Sequence, residues 1–324
     1  MAAKKTYRVG IDIGGTKILA GVVDARDNLL ASAKAKTMAE EGERYLINTI
    51  TGLVARVLEE GHVRREAVSA IGVGCPGLIN IAKNSVIFAP NIPFLSDYPL
   101  GRRLERELNV PCIVENDVNM GLYGEYRFGA AAGCSHAAGF FLGTGIGGAL
   151  ILDGKLYRGA RGAAGEFGHI FVDPLGPLCG CGNRGCLEAS AGRLSLSAEA
   201  AVMAARGQAK SLLARTGTDV RAIKSGALAK AAASGDRDVR ELVKLKAAMI
   251  GIAMANVLHI TDPEIIVLGG GMMEAMGDII LPEAEKSMRE HSLPSLRDKV
   301  KVVRAKLGDN AAVMGAAAMA AERI

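Results

Sequence analysis

The sequence lacks a long uninterrupted apolar run, a strongly basic tail and an apolar leader segment. Without about 20 consecutive apolar residues, no segment is expected to span a bilayer. Residues Met1–Thr6 are basic but lack the apolar core of a secretion signal. The net charge is only +5, from 39 Lys and Arg against 34 Asp and Glu, so nucleic acid is not an expected partner. These absences favour a cytoplasmic protein that binds neither membranes nor nucleic acid.

The chain is long enough for more than one hydrophobic core. It has 324 residues, of which 49% are hydrophobic, and this favours two domains. A strand, a glycine turn, a second strand and an aspartate follow one another at Ile11–Asp24 and again at Phe141–Asp153. The repeated order indicates an internal duplication. Two similar α/β halves that face each other would leave a cleft for ligands.

Three glycine-rich segments are candidates for binding a nucleotide. In the first, Gly14 and Gly15 allow backbone N–H groups to approach a phosphate closely. Thr16 and Lys17 add a hydroxyl and a positive charge, and Asp12 could hold Mg²⁺ through water. An ordinary hairpin turn explains this segment equally well on its own.

The second segment contains Gly143, Thr144, Gly145, Gly147 and Gly148 in the spacing G-x-G-x-x-G. A dinucleotide-binding fold requires a helix directly after this motif, whereas residues 149–152 predict a strand. An NAD(P) site is therefore not expected, and no Walker A motif occurs in the sequence. Two phosphate-binding hairpins in one chain favour ATP over a pair of unrelated turns.

The third segment, Gly269-Gly270-Gly271, follows a predicted strand and precedes a helix. It could lie against an adenine or a ribose, although a tight strand–helix connection is the simpler interpretation of this segment alone.

An acidic side chain is expected at the junction between a strand and the helix predicted over residues 117–128. Asp117 there could accept the proton of an attacking hydroxyl during phosphoryl transfer, and Asn116 could orient that hydroxyl. Asp is also a common N-cap. The local sequence does not separate a catalytic Asp117 from a capping one.

Three cysteines lie close together in a glycine-rich loop, and a histidine precedes them. Cys179, Cys181, Cys186 and His169 make up the Cys₃His ligand set typical of structural zinc. Free thiols in a flexible loop are the alternative. Glu166 and Glu188 flank the cluster, where each could bind sugar hydroxyls or simply be a solvated surface residue.

These motifs resemble the ROK family (repressors, open reading frames and kinases), and within it the bacterial glucokinases. The resemblance covers nearly the whole chain. It rests on residues 12–17, 115–117, 143–148, 165–169 and 179–188.

The resemblance implies a duplicated actin/hexokinase-like (ribonuclease-H-like) α/β fold around a cleft. Its domains would be residues 1–118, joined by a C-terminal helix 310–324, and residues 119–309, which carry the zinc loop. It implies phosphorylation of a hexose by ATP·Mg²⁺, best matched by glucose, in a homodimer or homotetramer. Asp117 would be the base, and the glycine loops would bind the nucleotide. Sugar contacts would come from Asn91, Asn116, Asp117, Glu166, His169 and Glu188, and structural Zn²⁺ would be held by His169 and the three clustered cysteines.

Two other functions remain open within this resemblance. One is a kinase for N-acetylmannosamine or another hexose, although Val172–Gly182 is more similar to the glucokinase version of the loop. The other is a sugar-binding regulator without catalysis. The family's repressors carry an N-terminal helix-turn-helix, for which the residues Met1–Lys5 before the first strand leave no room.

Overall fold

A computed structural model describes residues 6–323 of the chain. Residues Met1–Lys5 lie outside the described residues. The expectations about a leader segment and a helix-turn-helix refer to this part of the chain. The chain divides into two compact units. Unit 1 contains the described residues up to Gly133, together with Leu156–Ala164 and the residues from Asp309 onward. Unit 2 contains Cys134–Lys155 and Gly165–Gly308. The boundary proposed from the sequence, after residue 118, falls inside unit 1.

The described residues form twelve strands and eleven α-helices. The strands are β1 (Tyr7–Ile13), β2 (Lys17–Val23), β3 (Leu29–Lys36), β4 (Val68–Cys75), β5 (Leu78–Asn80), β6 (Ser85–Phe88), β7 (Cys112–Asn116), β8 (Ala137–Leu142), β9 (Ile146–Leu152), β10 (Lys155–Leu156), β11 (Ile265–Gly269) and β12 (Lys301–Arg304). The helices are α1 (Gly42–Glu60), α2 (Leu100–Leu108), α3 (Asp117–Phe128), α4 (Leu187–Ala191), α5 (Arg193–Ala205), α6 (Lys210–Thr216), α7 (Ser225–Ala233), α8 (Arg237–Thr261), α9 (Gly271–Glu290), α10 (Pro294–Arg297) and α11 (Ala311–Arg323).

Two five-stranded sheets have the same topology. The first has the order β3-β2-β1-β4-β7 and the second β10-β9-β8-β11-β12. In the first sheet, β1 pairs antiparallel with β2 and parallel with β4. In the second sheet, β8 pairs antiparallel with β9 and parallel with β11. The internal duplication predicted from the sequence is therefore confirmed.

Helix α11 packs on the first sheet and on α3 within unit 1, at glycines where backbones approach closely. A Cβ at Gly10 would lie 1.9 Å from Val313 O, and one at Gly72 would lie 2.0 Å from Ala316 O. A Cβ at Gly315 would lie 1.9 Å from Met120 O. Because real side chains cannot occupy such distances, these glycines set the position of α3, which begins with Asp117.

Helix α8 is the central helix of unit 2. It packs closely on α9, since a Cβ at Gly251 would lie 2.4 Å from Ala284 O. Although the sequence has no uninterrupted apolar run of that length, α8 is long and apolar enough to cross a membrane by length and composition alone. Its apolar window is 56% buried within the protein, and buried core helices meet the same two criteria.

Several elements differ from those predicted. Strand β3 was not predicted, because the residues that alternate with its Ser and Lys residues are alanines, which have low β-propensity, and only Ala33 is buried on this edge strand. The short pair β5–β6 was also missed. Strand β9 begins at Ile146, three residues before the predicted start, so the second glycine segment runs directly into the sheet.

Candidate active site and metal-binding cluster

Three parallel strands of unit 1 end at one edge of the first sheet and bring two aspartates to it. In the register of β1, β4 and β7, Asp12 pairs with Gly74, and Gly74 pairs with Glu115. Asp117 follows β7 directly, and a Cβ at Gly74 would lie 3.2 Å from its Cα. The carboxyl edge of this sheet therefore carries both Asp12 and the predicted base.

The two aspartates interact electrostatically. Burial and then the negative charge of Asp117 raise the pKa of Asp12 to about 7, while the positive charge of Lys17 opposes this shift. Lys17 Nζ itself pairs with Asp309 Oδ2 at 2.5 Å. Two neighbouring carboxylates of this kind can share a proton or face a cation, which suits both predicted roles, the proton acceptor and the outer-shell Mg²⁺ contact.

Asn116, rather than Asp117, is the N-cap of α3. Its Oδ1 accepts a hydrogen bond from Asn119 N at 3.0 Å, and its Nδ2 donates to Gly77 O at 3.1 Å. Of the two alternatives for Asp117, the cap does not apply, since Asp117 is the first helical residue and its Oδ1 accepts a hydrogen bond from Val118 N at 3.0 Å. Capping therefore does not account for Asp117. A sugar contact through Asn116 stays a prediction. The second N–H of its Nδ2 amide group could donate to a sugar hydroxyl.

The first glycine segment forms a tight hairpin between β1 and β2. Gly14 N donates to Lys17 O at 2.9 Å, and Thr37 Oγ1 donates to Gly14 O at 2.6 Å. A Cβ at Gly15 would lie 3.4 Å from Asn91 Cβ. The fold thus places the predicted sugar residue Asn91 beside the predicted phosphate loop. No pattern in the sequence indicates the supporting residue Thr37.

The second and third glycine segments lie together in unit 2. Gly143, Thr144 and Gly145 join β8 to β9, which contains Gly147 and Gly148, so a strand follows the loop as predicted, and an NAD(P)-type loop is excluded. Gly270 has a φ of +88°, and a Cβ there would lie 2.6 Å from Leu142 O. Only glycine fits this left-handed position. Gly269 ends β11 and Gly271 begins α9, so both segments sit at the carboxyl ends of neighbouring parallel strands.

The elbow between α4 and α5 supports the second segment. Glu188 Oε2 accepts a hydrogen bond from Ile146 N at 2.9 Å. Arg193 Nη2 donates to Thr144 Oγ1 at 2.9 Å, and Arg193 N donates to Gly143 O at 3.2 Å. Arg193 was missed from the sequence, where it has no motif beyond its position after Gly192.

The predicted sugar residues of unit 2 lie close to one another. Glu166 precedes a short 3₁₀ helix, Phe167–His169, and Glu188 lies in the first turn of α4. A Cβ at Gly168 would lie 3.3 Å from Glu188 Cβ and 2.2 Å from Ile146 O. Partial burial raises the pKa of Glu166, with His169 lowering it and Glu188 raising it further. The carboxylates of Glu166 and Glu188 and the imidazole of His169 are therefore grouped together, as binding several hydroxyls of one sugar would require.

The Cys₃His set also comes together in unit 2. One ligand atom from each of His169, Cys179, Cys181 and Cys186 lies within 4.8 Å of the others. Cys179 Sγ is 3.7 Å from His169 Nδ1, and Cys181 Sγ is 3.7 Å from Cys186 Sγ. Zn–S bonds of about 2.3 Å in a tetrahedron place sulfurs about 3.8 Å apart. The cluster has the dimensions of a closed metal site, and it leaves Nε2 of His169 for another partner.

Comparison with known proteins identifies the family. The ROK family model matches residues 8–323. The chain belongs to the ROK family. It is 36% identical over 317 residues to a glucokinase of Streptomyces coelicolor, with 97% of each chain covered. It is also similar to the crystal structure of a ROK family glucokinase from Streptomyces griseus in complex with glucose and AMPPNP. That similarity has a TM-score of 0.86 and 35% identity, and covers 98% of this chain and 99% of the other.

The ROK family also contains regulators. The chain is 28% identical over 311 residues to a xylose repressor of Caldicellulosiruptor bescii, covering 96% of this chain and 77% of the repressor. As a ROK protein, the chain has the duplicated actin/hexokinase-like fold that the sequence predicted.

Proposed function

We propose that this protein is an ATP-dependent hexose kinase that converts glucose to glucose 6-phosphate. The observation that carries the proposal is the match, over nearly the whole of both chains, to a ROK glucokinase structure that holds glucose and an ATP analogue. The carboxyl edge of the first sheet supports it independently, because it carries Asp117 in a position that helix capping does not explain.

The predicted roles can be assigned to particular groups. The Asp117 carboxylate would accept the proton of the sugar's primary hydroxyl as that oxygen attacks the γ-phosphorus of ATP, and ADP would leave. Asn91, Asn116, Glu166, His169 and Glu188 would bind the other sugar hydroxyls. Bound Mg²⁺ would neutralise phosphate charge, and the backbone N–H groups of the three glycine segments would bind the nucleotide.

Zinc is proposed as a structural ion. His169, Cys179, Cys181 and Cys186 have the donor types and spacing of a closed Cys₃His site, in which no coordination position is left for chemistry. Two of the proposed sugar ligands, Glu166 and Glu188, lie close in sequence to the zinc ligands. We therefore infer that the metal stiffens the loop on which sugar recognition depends.

The surroundings of the enzyme are also part of the proposal. None of the six cysteines is in a disulfide, which fits a reducing cytoplasm. A homodimer or homotetramer is proposed from the family resemblance, and size-exclusion chromatography with light scattering tests it.

A coupled ADP-release assay over glucose, mannose, fructose, N-acetylglucosamine and N-acetylmannosamine tests the proposed function. Glucose is expected to give the highest kcat/KM. A sugar that lacks one of the ring hydroxyls leaves the carboxylate that would accept its hydrogen bond unpaired, and this weakens binding. A higher kcat/KM for N-acetylmannosamine would make that sugar the preferred substrate instead of glucose. The protein would still be a sugar kinase. Sugar binding without turnover of any sugar would favour the regulator instead.

A further inference from the structure

A buried ion pair lies directly beneath the strand–helix junction that carries Asp117. The Glu115 side chain is only 2% exposed, and its Oε2 accepts a hydrogen bond from Arg158 Nε at 2.5 Å. Arg158 comes from Leu156–Ala164, a segment that belongs to unit 1. A carboxylate buried to this degree is costly unless a cation compensates it. Arg158 therefore compensates the buried charge of Glu115 in this position.

The second oxygen of Glu115 holds the residues on both sides of Asp117. Its Oε1 accepts hydrogen bonds from Asn116 N at 3.0 Å and from Asn119 Nδ2 at 3.1 Å. Asn119 N in turn donates to Asn116 Oδ1. The first turn of α3 is thus closed by a hydrogen-bond network in which Glu115 is the common acceptor.

We propose that Glu115 and Arg158 are positioning residues for phosphoryl transfer, which fix the direction of the Asp117 carboxylate through the first turn of α3. The proposal rests on the proposed role of Asp117 as the base. A base must lie within hydrogen-bond reach of the proton it accepts, and a displacement of about 1 Å can cost roughly 100-fold in rate. Buried ion pairs are in general no more stabilising than apolar pairs of similar volume, so geometry is the better explanation of this one.

The arginine side of the network reaches α11. Arg158 Nη2 lies 3.4 Å from Met319 Sδ. Partial burial and the positive charge of Arg158 lower the pKa of Arg323, and the negative charge of Glu115 opposes this. Removing Glu115 would also delete the acceptor of Asn116 N and Asn119 Nδ2, whereas changing Arg158 leaves that acceptor in place, which makes Arg158 the better first position to change.

The first experiment compares Arg158→Met with Arg158→Lys. In Arg158→Met, kcat is expected to fall by about 10- to 100-fold while KM for ATP stays near the wild-type value. Arg158→Lys keeps the charge and should restore part of the loss. Arg127→Met is the matched control: Arg127 lies on α3 and pairs with Glu322, but on an exposed surface, so kcat should not change. Wild-type kcat in Arg158→Met would overturn the proposal.

A double variant separates positioning from stability. Glu115→Met combined with Arg158→Met replaces the ion pair by apolar side chains, so the melting temperature should return towards the wild-type value. Turnover should stay low, because Asn116 N and Asn119 Nδ2 have lost their acceptor. Recovery of kcat together with the melting temperature would make the pair merely structural and overturn the proposal.

Failure of the proposed function would look different. In that case the wild-type protein would turn over no sugar of the panel. Hydrogen exchange at the amides of residues 118–120 then tests the network without any activity: Arg158→Met should lose protection there, and unchanged protection would overturn the positioning role.

Discussion

Glu188 Oε2 accepts a hydrogen bond from Ile146 N at 2.9 Å, which joins a proposed sugar ligand to a proposed phosphate loop within unit 2. The contact is possible only because residue 145 is glycine, since a Cβ there would lie 2.0 Å from Glu188 Oε2. The carboxylate that is expected to recognise the sugar is therefore also a structural part of the nucleotide segment.

Gly145→Ala should disturb both substrates, because the new methyl group displaces the Glu188 carboxylate. We expect kcat/KM for glucose and KM for ATP both to worsen, by about tenfold or more, the usual cost of losing a charged hydrogen bond. Steady-state kinetics with each substrate varied in turn measures this. Gly226→Ala is the matched control, because a Cβ there meets nothing within 4 Å. A change confined to KM for ATP would contradict the shared role of Glu188.

Asp117→Asn tests the base. Asparagine keeps the size and hydrogen-bonding capacity of the side chain but cannot accept the proton, so kcat should fall by about two to four orders of magnitude. Glucose binding, measured by calorimetry, should change much less. Because Asn116 is the cap of α3, Asn116→Ala serves as the comparison: it should cost about 1 kcal/mol in stability. Turnover within a fewfold of wild type in Asp117→Asn would assign the base to another group.

The metal cluster gives a prediction that needs no activity. Freshly purified protein should contain about one Zn²⁺ per chain, measured by plasma mass spectrometry. Cys181→Ser should lose the ion and weaken glucose binding, although neither Glu166 nor Glu188 is changed. Cys134→Ser, which removes a thiol outside the cluster, should retain the zinc. Metal-free protein with full activity would contradict the structural role.

The sequence predicted the elements and segments that have strong local signals. The limits of α3 were predicted correctly, because a polar pair marks its start and Gly129 follows its end. The Cys₃His cluster was predicted because its spacing is specific. Side-chain partners that arise from packing could not be predicted: nothing near Arg158 or Arg193 in the sequence indicates that they meet Glu115 and Thr144. The cap of α3 could not be decided from the sequence, because Asn and Asp are equally good caps and stand next to each other at residues 116 and 117.

The pKa of Asp12 makes stability depend on pH. In the folded protein it is raised from 3.8 to about 7, first by burial and then by the negative charge of Asp117. The native state therefore holds this proton more tightly than the unfolded chain does. Stability attributable to Asp12 is present at acidic pH and is lost as the pH rises through about 7. In the absence of divalent metal, Asp12→Asn should match wild type near pH 4 and exceed it in melting temperature near about pH 8.

A second variant identifies the cause of that difference. Asp117→Asn removes the neighbouring negative charge, so the pKa of Asp12 should move down towards its ordinary value, and the loss of stability with rising pH should be smaller and should end at a lower pH. Melting temperatures of wild type and both variants, recorded between about pH 4 and pH 9 in the presence of a chelator, measure the shift. If the difference between wild type and Asp12→Asn is the same across that range, Asp12 is ionised throughout. The two aspartates would then not be coupled at this edge of the sheet.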